Sequence, residues 1–249
     1  MTELYFGRRF CGPPGVANGG FACGSIAALH DGAAEVTLRR PLPLVRLLAA
    51  RPDDHGAVLV LDGDTLLAES RPAAPVELAV PAVSLDEARA VAGQSRYYAD
   101  PVFPACFACG MGRRPGDGLR IFPGPVAGRA LWAAPWTPDP SVASADGSVR
   151  PEVVWAALDC PGGLAAAEAS GLAQEDTAIL LGRMTASLAG LPLAGDQCRV
   201  VAWPGGRDGR KLIAGSALIG PGDEVLAAAL AVWVTVPRPV PALAAEVAS

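Results

Sequence analysis

Two stretches of this chain are predicted to form helices, and each of these helices is apolar on every face. The first covers residues 21–29, and the second, much longer, covers about residues 151–170. A helix that is apolar all round lies in the interior of a protein and not on its surface. Each of these helices must therefore be covered by other elements of the chain, which strongly limits the folds that the sequence can adopt.

The covering elements are predicted to be strands, and the same order of elements occurs twice. Turn-forming residues separate the strand-like segments. One such turn is Asp62-Gly63-Asp64, whose Asp-Gly pair is typical of tight hairpins. In the first half the strands are predicted at residues 34–39, 45–50, 57–61 and 65–70. In the second half they are predicted at residues 119–122, 129–134, 178–189, 198–203, 211–219 and 225–236. One buried helix followed by antiparallel strands, twice over, predicts two similar units.

The boundaries of these units follow from the turn-forming residues and from one helix signature. Ser84 followed three residues later by Glu87 is a capping box, which predicts a short helix between the halves. We therefore expect an N-terminal domain at residues 1–83, a linker with a short helix at 84–104, a C-terminal domain at 105–237 and a loose tail at 238–249.

Composition excludes several classes of function. The 249 residues are 51% hydrophobic and 18% charged, with a net charge of −5, which argues against a nucleic-acid-binding surface of clustered cations. No apolar run reaches the roughly 20 residues of a membrane span, and the N-terminus lacks the apolar core of a signal peptide. We therefore expect a cytoplasmic protein, without a membrane partner, whose six cysteines are reduced.

Three short motifs in this chain are informative: Asn18-Gly19-Gly20, the Cys-Phe-Ala-Cys-Gly segment at 106–110 and the helical segment at 153–159, which ends in Asp159. Together they resemble motifs of the hot dog acyl-CoA thioesterase superfamily, in particular the phenylacetate-degradation-type thioesterases in their tandem form. The resemblance implies an α+β fold of two hot dog domains, each an antiparallel sheet wrapped around one long apolar helix. It also implies an acyl-CoA thioesterase activity.

The resemblance further implies one active site between the two halves. In single-domain relatives the acid lies nine residues after the start of the glycine motif. Nine residues after Asn18 the chain has Ala27, and nine residues before Asp159 it has Arg150, followed by Pro151. The first half therefore keeps the glycine loop without the acid, and the second half keeps the acid without the loop.

These residues suit thioester chemistry. Backbone N–H groups at a helix start are unpaired and lie at the positive end of the helix dipole, so the amides of Gly19 and Gly20 are expected to bind the thioester oxygen. The Asn18 side chain would support them, and Asp159 would act as nucleophile or as general base for water. The residues expected to contact the substrate are Phe21, Trp155, Arg39 and Arg40.

Alternatives stay open for the site and for the activity. Pro161 follows Asp159 closely, so the helix could kink there, or a new helix could begin at Pro161 with Asp159 as its cap. A non-catalytic acyl- or acyl-CoA-binding protein is the second candidate function, and an enoyl-CoA hydratase-like enzyme is the third. The third is weakened because no histidine lies next to the acid or at the start of the first helix.

Partners and cofactors are expected to be few. The ligand would be an acyl-CoA or acyl-carrier-protein thioester, with coenzyme A present only as part of the substrate, and two fused chains could pair as a homodimer. Cys106 and Cys109 form one CxxC, but zinc sites use four ligands, and the remaining cysteines are scattered in sequence. We therefore expect no metal, and we assign the two thiols to the packing of a turn.

Overall fold

A computed structural model describes residues 2–173 and 175–238 of the chain. In these two ranges eleven strands form one sheet, and three α-helices accompany it. The helices are α1 (Gly19–Ala27), α2 (Leu85–Val91) and α3 (Pro151–Ala169). The strands of the first half are β1 (Thr2–Tyr5), β2 (Ala34–Leu38), β3 (Leu47–Pro52), β4 (Val58–Asp62) and β5 (Thr65–Pro72). Those of the second half are β6 (Gly124–Pro125), β7 (Trp132–Trp136), β8 (Thr177–Leu188), β9 (Cys198–Asp208), β10 (Lys211–Ile219) and β11 (Val225–Pro237).

The sheet is antiparallel and divides into two parts, one from each half of the chain. Its strand order is β1-β3-β4-β5-β2-β8-β11-β10-β9-β7-β6. The two parts meet where β2 pairs with β8, with Val36 opposite Met184. A mostly antiparallel sheet with few helices is the coarse architecture that the sequence predicts.

The two apolar helices pack directly against each other, and α3 also packs on β9, β10 and β11. Their close approach depends on Gly20 and Gly24 of α1. A Cβ at Gly20 would lie 2.6 Å from the Trp155 carbonyl oxygen, and one at Gly24 would lie 2.7 Å from the Cα of Glu152. No side chain fits at either position, so these glycines set how closely the helices cross.

Most predicted elements are present, and the differences have physical causes. The boundaries of β10 are those predicted from its flanking turns, and the capping box forms at Ser84 and Glu87 before α2. The prediction of a strand at residues 119–122 is wrong, because backbone amides of this segment donate to the 106–110 loop and not to a neighbouring strand. The Leu119 N–H, for example, donates to the Phe107 carbonyl at 2.8 Å. Strand β1 was not predicted, and the expected loose tail lies, except for its first residue, outside the described residues.

The proposed break at Pro161 does not occur, since α3 runs through it as one helix. Pro161, Gly162 and Gly163 are all buried, and Ser216 on β10 donates to the Leu158 carbonyl at 2.8 Å. Packing on the sheet outweighs the local cost of the proline. Asp159 therefore lies within a helix and does not cap one. Within the described residues, no helix combines the length and the hydropathy that a membrane span requires.

Candidate functional site

Asp159 and the start of α1 meet where the two helices cross. The Gly20 N–H donates to Asp159 Oδ2 at 2.9 Å, and Asn18 Nδ2 donates to the same oxygen at 3.0 Å. Asn18 also caps α1, because its Oδ1 accepts from the Phe21 N–H at 2.9 Å. That bond fixes the orientation of the amide, so its NH₂ group must face the carboxylate. Two donors from the first half of the sequence thus hold the carboxylate of a residue from the second half.

The carboxyl group of Asp159 is buried, with only 2% of the residue exposed. Burial raises its pKa to about 7, although the Gly20 N–H and the Asn18 amide oppose that rise. Its second oxygen, Oδ1, has no hydrogen-bond partner among the described residues. The only other such buried side-chain atom in the described part of the chain is Trp233 Nε1. Unsatisfied buried polar atoms are uncommon and mark places where a water or ligand binds.

Asp159 and Trp233 line the same cavity, which has a volume of about 300 Å³. Gly19 lines it as well, and the N–H of this first residue of α1 meets no acceptor in the ranges 2–173 and 175–238. The rest of the wall is mainly apolar and comes from both halves. It includes Val16, Leu38, Leu42, Phe103, Ile179, Leu181, Val234 and Val236. An apolar cavity with a few convergent polar groups is typical of a small-molecule site.

The predicted substrate contacts fall into two groups. Arg39 and Arg40 line the cavity, and Arg39 also pairs with Glu69 at 2.6 Å. Phe21 and Trp155, in contrast, are not among its lining residues. Phe21 stacks on Phe10 with ring centroids 4.0 Å apart, and Trp155 packs over Gly24 on the other side of the helix pair. Both side chains are buried outside this cavity, and Trp155 lines a second one, so the substrate contact expected of them stays a prediction.

The repeated sequence pattern also implies a second, equivalent position where the start of α3 meets the end of α1. The structure has a cavity there, but neither a carboxylate nor a free helix-start N–H of the described residues faces it. Ala27 and Pro151 line one cavity of about 400 Å³ at the opposite end of the helix pair, together with Trp155 and His30. Pro151 has no N–H to donate, and Ala27 has no carboxyl group. His30 lies within hydrogen-bond distance of Ser70 Oγ, at 2.7 Å from its Nε2. No histidine lines the cavity at Asp159.

Sequence reasoning missed one feature beside Asp159, a cluster of three thiols. The Sγ atoms of Cys106, Cys109 and Cys160 all lie within 4.8 Å of one another. Cys160 is adjacent to Asp159, and it lies 54 residues from Cys106, so only the folded chain brings them together. The thiols of Cys109 and Cys160 hydrogen-bond to Cys106 and lower its pKa well below the ordinary value. The premise that the other cysteines are scattered is wrong for Cys160.

Comparison with known proteins identifies the fold. No family model matches the sequence, and no curated protein sequence matches it either. A putative thioesterase from Novosphingobium aromaticivorans DSM 12444 aligns over 93% of this chain and 94% of its own, with a TM-score of 0.58 and 12% identity. This chain has the fold of that thioesterase. The predicted resemblance to the tandem hot dog form is thereby confirmed for the fold.

Two further solved structures align with part of the chain. The Escherichia coli PaaI protein from the phenylacetic acid degradation operon aligns over 42% of this chain and 75% of its own, with 12% identity and a TM-score of 0.37. An acyl-ACP thioesterase from Bacteroides thetaiotaomicron aligns over 44% of this chain and 47% of its own, with 16% identity and a TM-score of 0.38. The match thus spans about half the length of the Bacteroides enzyme.

Proposed function

We propose that this protein is a thioester hydrolase that cleaves an acyl-CoA or acyl-carrier-protein thioester in the cavity at Asp159. In this proposal each half of the chain is a hot dog domain, and the single site lies between them. The observation that carries it is the meeting, in one apolar cavity, of a buried carboxylate with an unpartnered oxygen and a helix start with an unpaired N–H. These are the two groups that acyl transfer requires.

The thioester oxygen is assigned to the N–H of Gly19. Gly20 was expected to share this role, but its N–H donates to Asp159 Oδ2 and so serves to hold the acid. A helix-start amide stabilises the negative charge that develops on the oxygen during attack, an effect of about 3–4 kcal/mol for such donors. Asn18 acts in the same way as Gly20, since its amide donates to the carboxylate.

Asp159 then acts through its free oxygen, Oδ1. As a general base it takes a proton from water, the resulting hydroxide adds to the thioester carbon, and the carbon–sulfur bond breaks. The thiolate leaves and takes up the proton from the carboxyl group, so that acid and thiol are the products. As a nucleophile Asp159 would instead form an anhydride that water opens. A pKa of about 7 suits a group that must accept and return a proton near neutral pH.

The test is a thiol-release assay of the full-length protein on short, medium, long and aromatic acyl-CoAs. Asp159→Asn keeps the shape of the side chain and removes the base, so we expect turnover to fall by at least about a hundredfold. Glu152→Gln is the matched control, because it makes the same change on the same helix at a residue outside the cavity. Turnover that survives Asp159→Asn would show that the carboxylate does not carry the reaction.

A second candidate function is a non-catalytic acyl- or acyl-CoA-binding protein. One observation favours it: two donors already hold the Asp159 carboxylate, so the acid is engaged before any ligand enters. Calorimetry with a non-hydrolysable acyl-CoA analogue separates the two functions. Tight binding without hydrolysis of any panel member would support the binding protein and overturn the hydrolase.

A further inference from the structure

The three thiols beside Asp159 have the spacing of ligands around one metal ion. Cys106 Sγ and Cys160 Sγ are 3.6 Å apart, and all three sulfur atoms lie within 4.8 Å of one another. Two thiolates on one tetrahedral zinc ion, with Zn–S bonds of about 2.3 Å, lie roughly 3.8 Å apart. The cluster therefore needs only small shifts of side chains to hold such an ion.

The turn that contributes Cys106 and Cys109 is tight and is closed by its own backbone. The Gly110 N–H closes the turn on the Cys106 carbonyl at 2.9 Å, and a Cβ at Gly110 would meet that same oxygen at 2.4 Å. Only glycine fits at position 110, so the turn holds Cys106 and Cys109 in a fixed relation to each other.

The third thiol comes from a rigid element and not from the turn. Cys160 lies in α3, in the helical turn that also contains Asp159, and it lines the cavity together with Cys106. The other buried cysteines, Cys11, Cys23 and Cys198, lie outside this group in the described residues. The close approach of a CxxC turn to a cysteine on a helix is therefore particular to these three residues, because the other buried cysteines of the described chain do not join a cluster.

We propose that Cys106, Cys109 and Cys160 bind one zinc ion as thiolates, with the fourth coordination position facing the cavity. Three soft sulfur ligands favour a thiophilic ion over magnesium or calcium, which prefer oxygen. Three protein ligands with one open position is also the pattern of zinc sites that admit water or a small ligand. The ion would join the 106–110 turn to α3 next to Asp159.

The test is metal binding by the reduced, full-length protein after removal of metal with a chelator. Titration with Co²⁺ should saturate at one ion per chain and give the sulfur-to-cobalt charge-transfer absorbance of several thiolates, which Zn²⁺ should then abolish. Cys160→Ser and Cys109→Ser should each weaken binding by at least about tenfold, the loss that even less direct changes around a metal cause. Cys198→Ser is the matched control and should bind like the parent.

Several outcomes would overturn the proposal. One is the absence of a charge-transfer band in the parent protein. Another is equal loss of affinity in Cys198→Ser, and a third is a Cys106–Cys160 disulfide, detected by peptide mass mapping of the protein as isolated, before any reduction. Circular dichroism shows whether each variant folds. If a variant does not fold, the cobalt absorbance of the unsubstituted protein still decides whether thiolates bind the metal. No readout involves hydrolysis, so the test stands apart from that of the proposed function.

Discussion

Gly20 offers the sharpest test of the helix crossing on which the whole site depends. A Cβ at this position would lie 2.5 Å from Asp159 Cβ, 2.6 Å from the Trp155 carbonyl oxygen and 3.0 Å from the Cα of Ala156. Non-bonded carbon atoms pack best at about 3.5–4.0 Å, so α1 and α3 would have to separate by roughly 1 Å in Gly20→Ala. Backbone atoms form two of the three contacts, so a rotamer change cannot relieve the clash.

The expected cost follows from three contributions to the free energy of unfolding. Overpacking of a core costs about 1–3 kcal/mol, and this case belongs at the upper end. Separation of the helices also weakens the bond from the Gly20 N–H to the carboxylate, which contributes about 1.5–3 kcal/mol. The higher helix propensity of alanine returns at most about 1 kcal/mol. A net loss of about 2–4 kcal/mol should lower the melting temperature by roughly 4–16 °C in a protein of this size.

The measurement is urea and thermal unfolding of Gly20→Ala beside Gly162→Ala. Gly162 lies in α3, and a Cβ there would meet Ala214 Cβ at 3.5 Å, an ordinary contact. The control should therefore keep or gain stability, by up to about 1 kcal/mol. If Gly20→Ala unfolds within about 0.5 kcal/mol of the parent, the limit for an ordinary surface change, the two helices do not cross at Gly20 and the site as described is refuted.

Three further predictions concern other contacts. Ser84→Ala should destabilise the protein by about 1 kcal/mol in urea unfolding, because it removes the hydroxyl that accepts from the Glu87 N–H at the start of α2, whereas the exposed Asp86→Ala should have a smaller effect. Arg199→Met should cost about 2–4 kcal/mol, because the buried guanidinium bonds to the Val83 and Gly220 carbonyls and to Asp223. Asp223→Asn, at an exposed residue, should cost under about 1 kcal/mol; equal losses would contradict this assignment. Arg40→Ala should raise KM for acyl-CoA about two- to fivefold at constant kcat if this cavity-lining cation meets the CoA phosphates, and an unchanged KM would exclude that contact.

The sequence predicts those parts of the fold that depend on local order. Strand β10 lies between two strong turn signals, so its ends at Lys211 and Ile219 follow from its neighbours in the chain. The capping box at Ser84 is likewise a contact between residues three positions apart. Pro161 shows the opposite case, since the local rule predicts a kink or a break, and packing of α3 on the sheet overrides it.

The candidate site could be predicted only in part, because its decisive contacts join residues distant in sequence. The pattern indicates that Asn18, Gly20 and Asp159 belong to one site, but not that the Gly20 N–H donates to the acid across 139 positions. The approach of Cys160 to Cys106 has no signal in the sequence at all. Both contacts follow from the helix crossing, whose depth depends on which side chains are absent at Gly20 and Gly24.

The difference between the two ends of the helix pair explains why a chain with a repeated plan would have one site. At one end, α1 begins with Gly19, whose N–H is free, and α3 supplies Asp159. At the other end, α3 begins with Pro151, which has no N–H, and α1 supplies Ala27. Pro151 stands in the place of Gly19 and Arg150 in the place of Asn18. A carboxylate placed at Ala27 would therefore lack a counterpart of the Asn18 amide that donates to Asp159, and the thioester oxygen would lack a counterpart of the Gly19 N–H. The acid is missing from α1 and the free N–H is missing from α3, and a thioester site needs both groups, so neither half of this second position is useful without the other.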